Sequence, residues 1–157
     1  MLLASVYIND KKYDKALAIY DAVLEKNPRL DIARNNLASL LLDQYGKEAD
    51  IKKALRLVSR FKMYDQPYFL DTYAWAQFKS GRVNDALTIL ERVIVSAPSV
   101  PVFRYHLAQV YQSLGNAAGA VSELREAIEL AKVTDFEQLN SATSLLQKLM
   151  DSSKAVN

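Results

Sequence analysis

Small and bulky apolar residues recur along the chain in a repeating order. Leu3-Ala4 is followed by Tyr7, Ala16-Leu17 and Tyr20; Leu37-Ala38 by Leu41 and, after a longer gap, Ala54-Leu55. Tyr73-Ala74-Trp75-Ala76-Gln77 leads through Gly81 to Ala86-Leu87 and Leu90. Leu107-Ala108 and Tyr111 lead through Gly115 to Ala120-Val121, Leu124 and Ala127. Spacings of three and four place these residues on one face of a helix, so each set predicts two short antiparallel helices. Ala4, Ala38, Ala74 and Ala108 let the first helix of a pair (A) sit close to the second (B). Ala16, Ala54, Ala86 and Ala120 do the same from the other side. Pro28 and Pro98 end B helices, because proline removes a donor and disfavours helix in the residue before it.

From Ala86 to Ala120 is 34 residues. A helix pair of that period with these anchors resembles the tetratricopeptide repeat. The resemblance implies an all-α, right-handed superhelical solenoid in which stacking buries faces that one pair cannot bury alone. The expected divisions are a partial repeat over 1–30, repeats over 31–67, 68–100 and 101–133, and a capping helix over 134–151. Ala16 to Ala54 is 38 residues and Ala54 to Ala86 is 32. The extra residues around Asp43–Asp50 therefore predict a lengthened A–B connection, and Met63–Pro67 a shortened end. By phase, Met1 falls inside a first A helix, so the chain is expected to be a piece of a longer array. At the other end Thr134 and Glu137 have capping-box spacing. Phe136, Leu139, Ala142, Leu145, Leu146, Leu149 and Met150 form an apolar stripe opposite Ser, Thr, Gln and Asn. Residues 152–157 are expected to fray.

Composition removes most chemistry. Lys and Arg total 20 against 18 Asp and Glu, a net charge of +2, so no nucleic-acid partner is expected. There is no cysteine and one histidine, His106, which excludes disulfides, thiolate chemistry and His-based metal clusters. Gly and Pro number four each, too few for a turn-rich β fold. No apolar run reaches the roughly 18 residues of a membrane span. Met1–Tyr7 looks faintly like a signal sequence but lacks a basic start and a cleavage site, and reads as helix. No cofactor, metal or enzymatic activity is expected.

The resemblance also implies that A helices line a concave groove. Its groove positions fall on Asn35, Asn36, Ser39 and Asp43, then on Tyr68, Asp71, Thr72, Trp75, Phe78 and Lys79, then on Tyr105, His106, Gln109, Gln112 and Ser113. Amides, hydroxyls and rings predominate there, groups that suit a peptide or a sugar chain. Trp75, Tyr68 and Tyr105 are the expected anchors, with the amides and Asp71 giving specificity; the competing reading packs the aromatic rings between adjacent A helices. The carboxylate clamp of some peptide-binding members is absent, since Ser5, Asn36, Tyr68 and Thr72 occupy its places. His106 with Asp71 suggests an acid–base pair, but no nucleophile, phosphate loop or second ligand accompanies it. Lys52, Lys53, Arg56, Arg60 and Lys62 make residues 1–62 basic by four charges, a weak steering field for an acidic partner or membrane surface, or else a solvated outer face.

Ala33-Arg34-Asn35-Asn36-Leu37-Ala38, Leu70-Asp71-Thr72-Tyr73-Ala74-Trp75, Phe103-Arg104-Tyr105-His106-Leu107-Ala108 and the ending Phe136…Leu149 occur in that order. Over about residues 33–150 they resemble the C-terminal part of exported bacterial tetratricopeptide proteins associated with exopolysaccharide production and the PEP-CTERM system. That resemblance implies a periplasmic or envelope scaffold. The expected function is non-catalytic protein or peptide binding in the groove. Polysaccharide binding in the same groove and self-assembly into a homo-oligomer are the alternatives.

Overall fold

The computed structural model describes residues 1–154, and among these there is no strand. Nine α-helices follow one another over the described residues: α1 (Leu2–Asn9), α2 (Tyr13–Lys26), α3 (Asp31–Leu40), α4 (Glu48–Val58), α5 (Pro67–Lys79), α6 (Val83–Ser96), α7 (Pro101–Ser113), α8 (Ala117–Leu130) and α9 (Leu139–Lys154). The fold class is the one expected. The chain divides into two compact units, Met1–Gly81 and Arg82–Asn157. The division falls inside the third repeat, between its A helix α5 and its B helix α6, and not at a repeat boundary.

In the first unit α1 packs on α2, α2 on α3, α3 on α4 and α4 on α5. Ala4, Ala16, Ala38, Ala54 and Ala74 are fully buried, because a larger side chain there would hold the helices apart. Tyr20, Leu37, Leu41, Val58 and Phe61 fill the space between them. Tyr64 and Phe69 pack on Phe61, with ring centroids at 5.4 and 4.6 Å. Leu2, Leu3 and Val6 of α1 face solvent.

The α1–α2 turn places Lys11 at φ +57°, where the later repeats place Gly81 (φ +88°) and Gly115 (φ +76°). The Lys11 and Lys12 N–H groups donate to the Ile8 and Tyr7 carbonyls at 2.8 and 2.7 Å and close α1 as a Schellman motif. This left-handed backbone suits glycine and strains lysine.

The lengthened A–B connection does not form. The additional residues are wound onto the end of α3 as a π-helical turn, Leu41–Tyr45, closed by Gly46 at φ +67°. Lys47 alone then separates Gly46 from α4. The wider turn keeps Leu40, Leu41 and Leu42 buried together, which repays its poorer hydrogen-bond geometry. The B helix that follows has 11 residues, against 14 in α2, and leads into the 3-10 turn Phe61–Met63.

In the second unit α6 packs on α7, α7 on α8 and α8 on α9. Ala86, Ala108 and Ala120 are fully buried, as are Leu90, Val93, Phe103, Val110 and Leu124. Arg104 bonds Glu123 at 2.7 Å and the Pro98 carbonyl at 2.9 Å, linking α7 to α8. Helix α9 covers this stack, with Ala142 fully buried and Leu145, Leu146 and Leu149 packed against Ala108 and Leu124. Its start differs from expectation. Residues 131–138 form turns, and α9 begins at Leu139, so Thr134 lies outside its first turn and is not its N-cap. Ser152 and Ser153, expected to fray, are helical; residues 155–157 lie outside the described residues.

Candidate functional site

On the first unit, most expected groove residues are committed to the fold. Trp75 is 3% exposed and belongs to the core of this unit. Its ring stacks on Phe78 at 5.1 Å, with the Lys79 ammonium 4.5 Å from its centroid. Its Nε1–H donates to Asp43 Oδ1 at 2.8 Å. A buried indole needs an acceptor for its N–H, and the π turn supplies one. Trp75 is therefore a pin between α5 and the end of α3. The expectation that it anchors a ligand is corrected: an indole this enclosed has no free face.

The neighbours behave alike. Thr72, 4% exposed, donates to the Tyr68 carbonyl at 3.1 Å and meets Ser39 Oγ at 3.3 Å. Asn36 hydrogen-bonds the buried Tyr20 hydroxyl, whose pKa is raised by burial. Asp71 is 4% exposed and so cannot read a ligand at the surface. Asn35 is half-buried, Asp43 is exposed apart from its bond to the indole, and Tyr68 stays 60% exposed. Of the expected aromatic anchors on this unit, Tyr68 alone is open to solvent.

Three of the five basic residues between 52 and 62 are paired with carboxylates. Lys52 pairs with Glu48, Lys53 with Asp21 at 2.8 Å, and Arg60 with Asp31 at 2.9 Å. A cleft of about 360 Å³ lies at the α1–α2 turn, lined by Lys11, Lys12, Tyr13, Asp14, Lys15, Gln44 and Tyr45. The Tyr45 hydroxyl donates to Asp14 across it. Burial and that carboxylate push the phenol up to about 12.

The second unit presents a more open arrangement. Its His106 is 4% exposed, so the imidazole weighed as an acid–base group lies inside the fold. Tyr105, Gln109 and Gln112 stand at successive turns of α7, a spacing that keeps them on one face. They face Asn140, Ser141, Ser144, Leu145 and Lys148 of α9 across a cleft of about 440 Å³. Phe136 meets Tyr105 edge-on at 5.9 Å and holds its ring. Among the described residues, the side chains of Gln109, Gln112, Asn140, Ser141, Ser144 and Lys148 make no hydrogen bond or ion pair within the chain. The α9 residues are absent from the sequence expectation, which reads them as a solvated face. Their signal is the spacing of Asn140, Ser144 and Lys148, four apart.

No group of three or more His, Asp or Glu that could hold a metal occurs among the described residues. No helix among them is long and apolar enough to cross a membrane.

A family model for the tetratricopeptide repeat matches residues 1–60 and 74–132, and the chain belongs to that family. This repeat is typically a non-catalytic interaction module. Among solved structures, the chain is similar to a thermophilic tetratricopeptide protein of Thermus thermophilus, with 20% identity, 98% of this chain and 80% of that one covered, and a TM-score of 0.76. It is also similar to the type III secretion translocator chaperone SycD of Yersinia enterocolitica, with 23% identity, coverage of 76% and 84%, and a TM-score of 0.61. PcrH, of Pseudomonas aeruginosa, is similar at 20% identity, with coverage of 75% and 91% and a TM-score of 0.60; that structure holds the chaperone-binding region of PopD. Identities this low show a shared fold. No curated protein sequence matches the chain.

Proposed function

We propose that this chain is a non-catalytic scaffold that holds a segment of a partner protein, and that the α7–α9 cleft of the second unit is where it does so. The observation that carries the reading is the set of uncommitted side chains around that cleft. Elsewhere on the A-helix faces, as at Thr72 and Trp75, polar groups are spent on neighbouring helices. At the cleft, amides and hydroxyls converge on open space with donors and acceptors unused. Such groups gain by meeting main-chain amides of a ligand, because each can donate or accept. The similar fold of PcrH, seen with a segment of PopD, supports a peptide as the occupant. The setting in exopolysaccharide assembly rests on the resemblance of residues 33–150 alone.

The test is affinity capture from lysate of the source cell, with the wild-type chain beside a Gln109→Trp/Ser144→Trp double variant, which fills the cleft without adding charge. Circular dichroism verifies that both fold. A protein held by the wild type and released by the variant is the expected result. Equal capture by both moves the interface away from the cleft. Displacement by soluble oligosaccharide and not by peptide transfers the site to a polysaccharide.

A further inference from the structure

We infer that the α7–α9 cleft selects an extended segment carrying an acidic side chain, and that Lys148 is the residue that reads the charge. This rests on the peptide-binding reading above and adds the chemistry of the ligand. Tyr105 to Gln112 spans about 10 Å of α7, and Asn140 to Lys148 about 12 Å of α9, at roughly 1.5 Å per residue. An extended chain rises about 3.3 Å per residue, so roughly three residues lie between the walls.

The lining divides into three parts. Tyr105, steadied by Phe136, and Leu145 offer apolar surface for one side chain. Gln109, Gln112 and Asn140 offer amides that bind main chain whatever its sequence. Lys148 is the one ionised side chain lining the cleft among the described residues. It makes no ion pair among them; the carboxylate one turn on, Asp151, takes two bonds from Gln147 at 2.9 and 3.0 Å. A single cation in an otherwise neutral lining discriminates by charge: it attracts an acidic residue, tolerates a neutral one and opposes a basic one. Neutral polar walls alone carry no such preference.

The experiment is a selection of displayed random octapeptides on the full chain, in parallel with Lys148→Glu and Gln109→Trp. Lys148 is exposed, so its replacement leaves the packing of α9 intact. The wild type is expected to enrich Asp and Glu. Lys148→Glu is expected to lose that bias and enrich Lys and Arg, and Gln109→Trp, which fills the cleft without adding charge, to lose the selected peptides altogether. An acidic peptide from the wild-type pool should bind Lys148→Glu about fivefold more weakly or worse, with the gap narrowing as salt is raised. Peptides selected without acidic bias, or the same set selected by the wild type and Lys148→Glu, overturn the role of Lys148 and leave peptide binding standing. Peptides that survive Gln109→Trp place the binding outside the cleft. No enrichment on any chain overturns the peptide reading together with this one.

Discussion

Trp75 Nε1 donates to Asp43 Oδ1 at 2.8 Å, and this bond joins α5 to the π turn that ends α3. Removing the acceptor leaves the donor buried without its water. Asp43→Ala is expected to lower stability by about 1–3 kcal/mol, and Asp43→Asn, which keeps an acceptor, by less. Urea unfolding followed by tryptophan fluorescence reads this directly, since Trp75 is the one tryptophan. Equal stability of Asp43→Ala and wild type would show the bond to be worth no more than its hydration.

Lys11 holds a left-handed backbone that Gly81 and Gly115 hold in the later repeats. Lys11→Gly is expected to stabilise the chain by about 0.5–1 kcal/mol, since relief of the strain exceeds the entropy cost of glycine. Gly115→Ala should destabilise, although the space beside it is open, because the penalty is in the backbone. Thermal unfolding of the two variants checks the pair of opposite signs.

The Tyr45 phenol is raised to about 12 in the folded chain, above its ordinary value near 10, by burial and by Asp14. The folded state therefore favours the protonated form. Its contribution is complete below pH 10 and is lost as pH rises from 10 through 12. Spectrophotometric titration should show a late tyrosine step that Tyr45→Phe removes. The variant's stability should also fall less over that interval, and an unchanged alkaline profile would contradict the assignment.

Asn116 and Thr134 offer a controlled comparison of two candidate caps. Asn116 Oδ1 accepts the Gly119 N–H at 2.9 Å at the start of α8. Asn116→Ala should cost about 1 kcal/mol. Thr134 stands within the connection between α8 and α9, away from the first turn of α9, so Thr134→Ala should change stability by less than about 0.5 kcal/mol. A larger loss at Thr134 than at Asn116 would return the start of α9 to the position its sequence suggests.

The helix pairs were legible because their cause is local. An alanine at the closest approach of two helices is a volume constraint that recurs with the repeat, and every such anchor from Ala4 to Ala120 is buried. The extra residues around Asp43 were legible as a departure, but not as a π turn. Whether surplus residues loop out or wind in depends on what Leu41 and Leu42 find to pack against. The same limit applies to the site. Sequence placed Trp75 and Gln109 on A helices without distinguishing their roles.

Sequence alone determined the family, the helix pairing and the absence of cysteine, because these follow from residue type and periodic spacing. Tertiary structure decided which polar groups remain for a ligand. Trp75, Thr72 and Asn36 are spent on contacts within the first unit, while Gln109 and Lys148 are left open across the α7–α9 cleft. That division is set by the distance between helices remote in sequence. Whether two facing polar groups come within hydrogen-bond distance or leave a groove between them is set by how the helices pack, and no spacing along a single helix encodes it.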